Sequence, residues 1–196
     1  MVLAAGGARR FGRRKLAVGA GRGTLLGLAA ATAMAVTGQR CVVVLGADAT
    51  RWRAMLAGRR LHVVVNRQWR QGMSGSLRTG IAALPPSATA ALVVLADQFA
   101  VGPSELRRLA IAWRRRPRLP AAATVDGRPG APAILPRRLF GQLAALHGDQ
   151  GARQLFRCGL VPFTPVDLPA AAGDLDEPGD LPAFRRALRA RREPAR

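Results

Sequence analysis

The sequence predicts an α/β fold of three layers: a mostly parallel sheet with helices on both faces. Short Val-rich runs alternate with helix-like segments along the whole chain. Those runs show no polar alternation, which is how strands buried on both faces read. With 196 residues, 49% of them hydrophobic, and a mean hydropathy of +0.08, there is enough apolar material for one core.

Residues 2–5 read as a strand that runs into a Gly/Arg loop ending at Lys15. Thr24 can cap a helix over residues 25–36 by accepting a free first-turn N–H. Residues 41–45 read as a buried strand, 50–56 as a short helix and 61–65 as a second buried strand. Residues 73–84 form a helix stopped by Pro85-Pro86. A third buried strand at 91–96 ends at Asp97. Pro103, with Ser104 and Glu105 behind it, opens a helix that reaches Trp113. Strands at 119–125 and 131–135 and a helix at 137–146 complete the pattern. Residues 182–196, with Arg185, Arg186, Arg189, Arg191 and Arg192, read as a basic C-terminal helix that frays toward Arg196. Neither an internal repeat nor a second-domain linker interrupts residues 1–181.

Charge narrows the function classes. There are 31 Lys+Arg against 11 Asp+Glu, net +20, and Lys15 is the sole lysine. Such a surface attracts nucleotides, phosphorylated cofactors or nucleic acid. An aromatic fraction of 5%, no Tyr and no recognised motif argue against specific nucleic-acid binding. Cys41 and Cys158 stand far apart without a CxxC, which disfavours both a disulfide framework and a zinc site. The arginine cluster after residue 7 comes too early for a signal peptide, and no run nears the roughly 18 apolar residues of a membrane span. A reducing, cytoplasmic setting is the expectation.

In parallel sheets, ligands sit at the carboxyl ends of the strands. The Gly6 loop, Asn66 and Asp97 fall there. Adjacent Gly6 and Gly7 let backbone N–H groups approach an anion, and Arg10 and Lys15 add charge. The chemistry suited to this is triphosphate binding. The loop is not a Walker A motif, because Arg13-Arg14 follows Gly12, and the Gly19, Gly21, Gly23 triplet is not a dinucleotide fingerprint. Ser74 and Ser76 open a helix and suit either a phosphate or the helix end itself. Asp97 suits a cation or a turn cap. Asp174, Asp176 and Asp180 concentrate carboxylates in a basic chain; Asp180 suits the cap of the tail helix, and Asp174 or Asp176 a second metal ligand. Asp149 and Arg153, at i and i+4, suit a helix-surface pair. His62 and His147 read as structural.

Taken together, these segments resemble the nucleotidyltransferases that act on the molybdenum cofactor. The loop Leu3 to Lys15 is similar to LAAGxxxRxGxxK, and Asn66 to Leu77 to the segment beside the nucleotide. Leu95-Ala96-Asp97-Gln98 is similar to LxDQP, Gly130-Ala-Pro132 to G-x-P, Gly148 to Arg153 to GDxGAR, and Asp174 to Leu181 to D-x-D-T-P-E-D-L. Ala5 and the GDxGAR segment point to the cytidylyltransferase branch.

The resemblance implies a Rossmann-like nucleotidyltransferase fold and transfer of CMP from CTP to the phosphate of a molybdopterin-type cofactor, releasing pyrophosphate. Arg10, Lys15 and Asp97 would be catalytic. The nucleotide would lie against Ala4, Ala5, Gly6, Gly7, Arg10, Lys15, Asn66, Gly72, Ser74 and Asp97. Mg²⁺ would be held by Asp97 and Asp176. The acceptor would meet Gly130, Pro132, Gly148, Asp149, Gly151 and Arg153, and a molybdenum hydroxylase would receive the product. Ala8, Phe99, Glu177 and Gly179 depart from the family pattern, and members normally begin a little earlier than Met1. GTP, a sugar-phosphate acceptor, or a non-catalytic cofactor carrier are the competing readings.

Overall fold

The strand Val2–Ala4 (β1) sends Val2 and Ala4 into one hydrophobic cluster and Leu3 into another, on opposite faces of the sheet. This double burial is why the run carries no polar residue. The computed structural model describes residues 1–7, 11, 15–21, 23–157, 159 and 161–191. After β1 come a small hairpin, β2 (Gly19–Ala20) with β3 (Gly23–Thr24), then β4 (Val42–Leu45), β5 (His62–Val65), β6 (Ala90–Leu95), β7 (Ala121–Val125), β8 (Arg128–Pro136) and β9 (Thr164–Asp167). The α-helices are α1 (Leu25–Thr37), α2 (Ala49–Met55), α3 (Met73–Ala82), α4 (Pro103–Arg115), α5 (Phe140–Ala144), α6 (Arg153–Arg157) and α7 (Leu181–Ala190).

Seven strands form one sheet in the order β5-β4-β1-β6-β8-β7-β9. β1 pairs in parallel with both β4 and β6, β4 with β5, and β7 with β9; β8 runs antiparallel between β6 and β7. The predicted mostly parallel, three-layer sheet is therefore present. Helices α3, α5 and α6 cover the face that holds Leu3, Val42 and Val44. α1, α2 and α4 cover the other. Thr24 caps α1 as expected, its Oγ1 accepting from Gly27 N at 3.1 Å. Among the described residues no helix is long and apolar enough to cross a membrane.

The glycine triplet is explained by the hairpin: Gly21, at φ +66°, turns β2 into β3. The segment expected as one helix over 137–146 is a 3-10 turn, Arg137–Leu139, running into the short α5.

The basic C-terminal helix is anchored. Phe184 is 1% exposed and meets the Phe99 ring edge-on at 5.3 Å, beside Leu25 and Leu175. Phe99, the residue that replaces the family's proline, thus packs against α7 directly behind Asp97. Phe184→Ala should cost about 3–5 kcal/mol of unfolding free energy, measured by urea denaturation.

α4 starts with a capping box: Glu105 Oε2 accepts from Gly102 N at 2.8 Å and from the Ser104 hydroxyl at 3.0 Å. Burial alone would raise the Glu105 carboxyl, but the backbone N–H groups, the Ser104 hydroxyl and Arg191 outweigh it and hold the group below its ordinary 4.5. A carboxyl lowered by folding stabilises the fold above its ordinary value and loses that contribution as pH falls. Glu105→Gln should therefore cost about 1 kcal/mol at pH 7. The gap to wild type should close on acidification below 4.5, read from melts across pH.

Candidate active site

Three chain crossings converge at the carboxyl ends of β1 and β6. Lys15, 7% exposed, opens a 3-10 turn and sends Nζ to Asp97 Oδ2 and to Asp176 Oδ1, each at 2.8 Å. Asp97 stands just past β6, and its carbonyl accepts from Leu175 N at 3.1 Å. That bond, with a β-bridge between Gln98 and Asp174, docks the acidic segment against the strand end. Asp176 is then held from behind: Asp180 Oδ2 accepts from the N–H groups of Asp176 and Glu177, both at 2.8 Å. Asp180 thus caps the turn before α7 and makes no side-chain cap to α7 itself.

Asp174 completes the acidic group. Its Oδ1 is buried without a hydrogen-bond partner. Burial first, then the negative charges of Asp97 and Asp176, push its carboxyl up to about 7, with Lys15 opposing. Lys15 itself lies above its ordinary value: burial pulls it down, but both carboxylates outweigh that.

A divalent cation fits this donor set. The Asp97 and Asp176 oxygens already converge on one positive centre, and hard carboxylate oxygens are what Mg²⁺ and Mn²⁺ prefer. Among the described residues no three His, Cys, Asp or Glu side chains form a cage. Such an ion would fill its remaining positions with water and phosphate oxygens, which is how Mg²⁺ is commonly bound.

Two cavities adjoin the carboxylates and share Leu3, Met73, Leu95 and Asp149 as walls. The smaller, about 340 Å³, is lined by Ala5, Gly6, Gly7, Gly72, Ser76 and Asp97 together with Trp69 and Arg70. Gly7 is required by contact: a Cβ there would press on the Trp69 ring at 2.8 Å. The Arg70 guanidinium carbon lies over the same ring, 4.6 Å from its centre. The larger cavity, about 470 Å³, has an apolar floor of Leu77, Val93, Ala133 and Phe156 and a polar rim that includes Asp126, Arg128, Gly130, Asp149, Gly151, Arg153 and Asp174.

Of the expected site residues, Ala4, Asn66, Ser74 and Pro132 support these cavities from outside. Ala4 packs into the α1/α2 face of the core. Asn66, 5% exposed, donates from Nδ2 to Ser76 Oγ at 3.1 Å, and its Oδ1 accepts from Gln68 N at 3.0 Å, so it ties the end of β5 to α3. Ser74, 1% exposed, donates its N–H to the Gly148 carbonyl at 3.1 Å. Gly72, at φ +104°, lies against that same carbonyl, which a Cβ would strike. Pro132 is buried behind a cis Ala131–Pro132 bond. Asp149 stands in the loop ahead of α6, whose first residue is Arg153, so the two do not share a helix face. Arg10 lies outside the described residues, as do Ala8 and Cys158.

Trp69, Arg70, Gln98 and Arg128 were not singled out as site residues from the sequence. Gln98 is buried and donates from Nε2 to the carbonyls of Ala131, at 2.8 Å, and Ala171, at 3.0 Å, which fastens two walls of the larger cavity to the Asp97 turn. Gly7 was the available signal for Trp69, since a glycine can mark a backbone that another group approaches closely.

Residues 1–172 match the family described as MobA-like NTP transferase domain. Nicotine blue oxidoreductase of Paenarthrobacter nicotinovorans is 34% identical over 165 residues, 80% of each chain. The Rv0371c protein of Mycobacterium tuberculosis H37Rv, in a complex with manganese, is 30% identical over 96% of each chain, with a TM-score of 0.77. A nucleotidyl transferase from Methanothermobacter, 21% identical over 96% of each chain at a TM-score of 0.79, shares the fold.

Proposed function

The chain belongs to the family of MobA-like NTP transferase domains and is a nucleotidyltransferase, and on that premise we propose that it transfers CMP from CTP to the terminal phosphate of a molybdopterin-type cofactor, with Mg²⁺ at Asp97 and Asp176. The observation that carries this reading is the meeting of two cavities along shared walls: the smaller is bounded by the glycine loop and by Asp97, which shares Lys15 with Asp176, and the larger by Asp174, an apolar floor and arginines at its rim. The manganese complex of the Rv0371c protein supports a divalent ion in this family.

In this reaction an acceptor phosphate oxygen forms a bond to the α-phosphorus of CTP, the bond from that phosphorus to the bridging oxygen breaks, and pyrophosphate leaves. The acceptor is already an anion, so no base is needed; the task is to bring two anions together in line. Gly6 and Gly7 offer backbone N–H groups to the triphosphate, and Lys15 an ammonium. Arg128 and Arg153 stand at the rim where an acceptor phosphate would lie. Leu77, Val93 and Phe156 exclude water from the floor that a flat ring system would cover. Mg²⁺, when bound, neutralises charge on the transferred phosphoryl group.

A second reading comes from the name of the relative at 34% identity: oxidation or reduction of nicotine blue in the larger cavity. The two separate in one assay series with purified protein, Mg²⁺ and molybdopterin. Pyrophosphate release with CTP exceeding that with GTP is the expected result. GTP preference moves the chain to the guanylyl branch; pterin binding without pyrophosphate supports a carrier; a change in the absorbance of nicotine blue, and no pyrophosphate, supports the oxidoreductase.

A further inference from the structure

We infer that Lys15 is the resident cation of the Asp97–Asp176 pair, holding the place of the divalent ion until metal and nucleoside triphosphate arrive together and draw its ammonium onto phosphate. The inference rests on the reading of those two aspartates as the metal-holding pair. Nζ lies 2.8 Å from one oxygen of each carboxylate, so the two oxygens are no more than twice that distance apart and are spanned by a single positive centre. The Lys15 side chain is 9% exposed, against 30% for Asp97 and 54% for Asp176. The ammonium is thus enclosed, while the carboxylates keep an open side from which a metal can approach.

Displacement has a cost that selects what can cause it. A metal ion alone would have to compete for the very oxygens that satisfy Lys15, and would leave a largely buried ammonium without a partner. A nucleotide alone would find that ammonium bound to carboxylates. A triphosphate bearing its metal solves both at once, because phosphate oxygens take over the ammonium as the metal takes over the carboxylates. Lys15 is placed for that exchange: it ends the loop whose other end, Gly6 and Gly7, lines the smaller cavity together with Asp97. Metal and nucleotide therefore bind with positive coupling, each raising the affinity of the other.

Lys15 is the sole lysine of the chain, so lysine-selective nitrogen-15 labelling of the wild-type protein gives one side-chain ammonium resonance with no assignment needed. Addition of Mg²⁺ alone should leave that resonance in place, and Mg²⁺ with CTP should move it. Mn²⁺ binding, followed by electron paramagnetic resonance, supplies the second readout. Without nucleotide, Lys15→Met should bind Mn²⁺ about tenfold more tightly than wild type, since the competing charge is gone. Added CTP should tighten Mn²⁺ binding more in wild type than in the variant. An ammonium resonance unmoved by Mg²⁺ with CTP, or a variant that binds free Mn²⁺ no better than wild type, overturns the inference while leaving the metal pair intact. Absence of Mn²⁺ binding in every case removes both. Should Lys15→Met fail to fold, the wild-type resonance decides alone.

Discussion

Asp97→Ala is expected to lower nucleotidyl transfer by about 10³-fold or more in kcat, the scale at which removal of a charge-stabilising group acts. Asp97 is the carboxylate that lies at the end of a core strand, lines the smaller cavity and shares Lys15 with Asp176. Its alanine variant leaves Lys15 with Asp176 alone, on the more exposed side of the site. The backbone at that point is kept by the Leu175 N–H bond to the Asp97 carbonyl, so the fold should persist. Pyrophosphate release measured beside a circular-dichroism melt separates the two effects. Activity near wild type in a folded variant would remove Asp97 from the machinery. Asp176→Ala should act in the same direction and more weakly, given its 54% exposure.

Gly72→Ala should be the most damaging single methyl group that can be added near the site. Gly72 has φ +104°, and the new Cβ would strike the Gly148 carbonyl and crowd the Asp149 N–H at 2.6 Å. Both a disfavoured backbone and a collision with main chain must be relieved, at about 2–4 kcal/mol. For a chain of this size that is a drop of roughly 5–15 °C in Tm. The relief available is to push the loop holding Gly148, Asp149 and Gly151 away from α3, which breaks the bond from Ser74 N to the Gly148 carbonyl. Acceptor KM should therefore rise together with the loss of stability. Gly130→Ala is the comparison: nothing lies within 4 Å of its Cβ position, and its stability should stay close to wild type.

Much of the fold was legible because of where its strands lie. β1, β4 and β6 are covered on both faces, so they read as unbroken apolar runs with sharp ends. β9 was missed: it is an edge strand of four residues, half exposed in alternation and interrupted by Pro165, with little apolar signal. α6, five residues long, is too short for a helical period to register.

The site divides in the same way. Position alone brought Asp97 to the end of a buried strand but left a cation and a turn cap both open, and the resemblance chose between them. The contact between Lys15 and Asp176 spans 161 positions and no local pattern carries it; the resemblance supplied the pairing of Asp97 with Asp176. Asn66 and Ser74 lie beside the cavity in sequence, but their hydrogen bonds turn inward to Ser76, Gln68 and Gly148. Asn66 spends its side chain, and Ser74 its backbone N–H, on the fold itself. Trp69 opens a 3-10 turn between Gln68 and Arg70, where nothing in the local hydropathy marks it as the wall of the glycine loop.

The proposed reaction joins a cytidylyl group to a pterin phosphate. Its most direct measurement follows the label of CTP carrying radioactive phosphorus at the α-position, incubated with the purified protein, Mg²⁺ and molybdopterin, with products separated chromatographically. Label is expected in a pterin product whose mass has increased by one cytidylyl unit, in equal amount to the pyrophosphate released. Label confined to unreacted CTP, from a folded protein that binds both compounds, would contradict it.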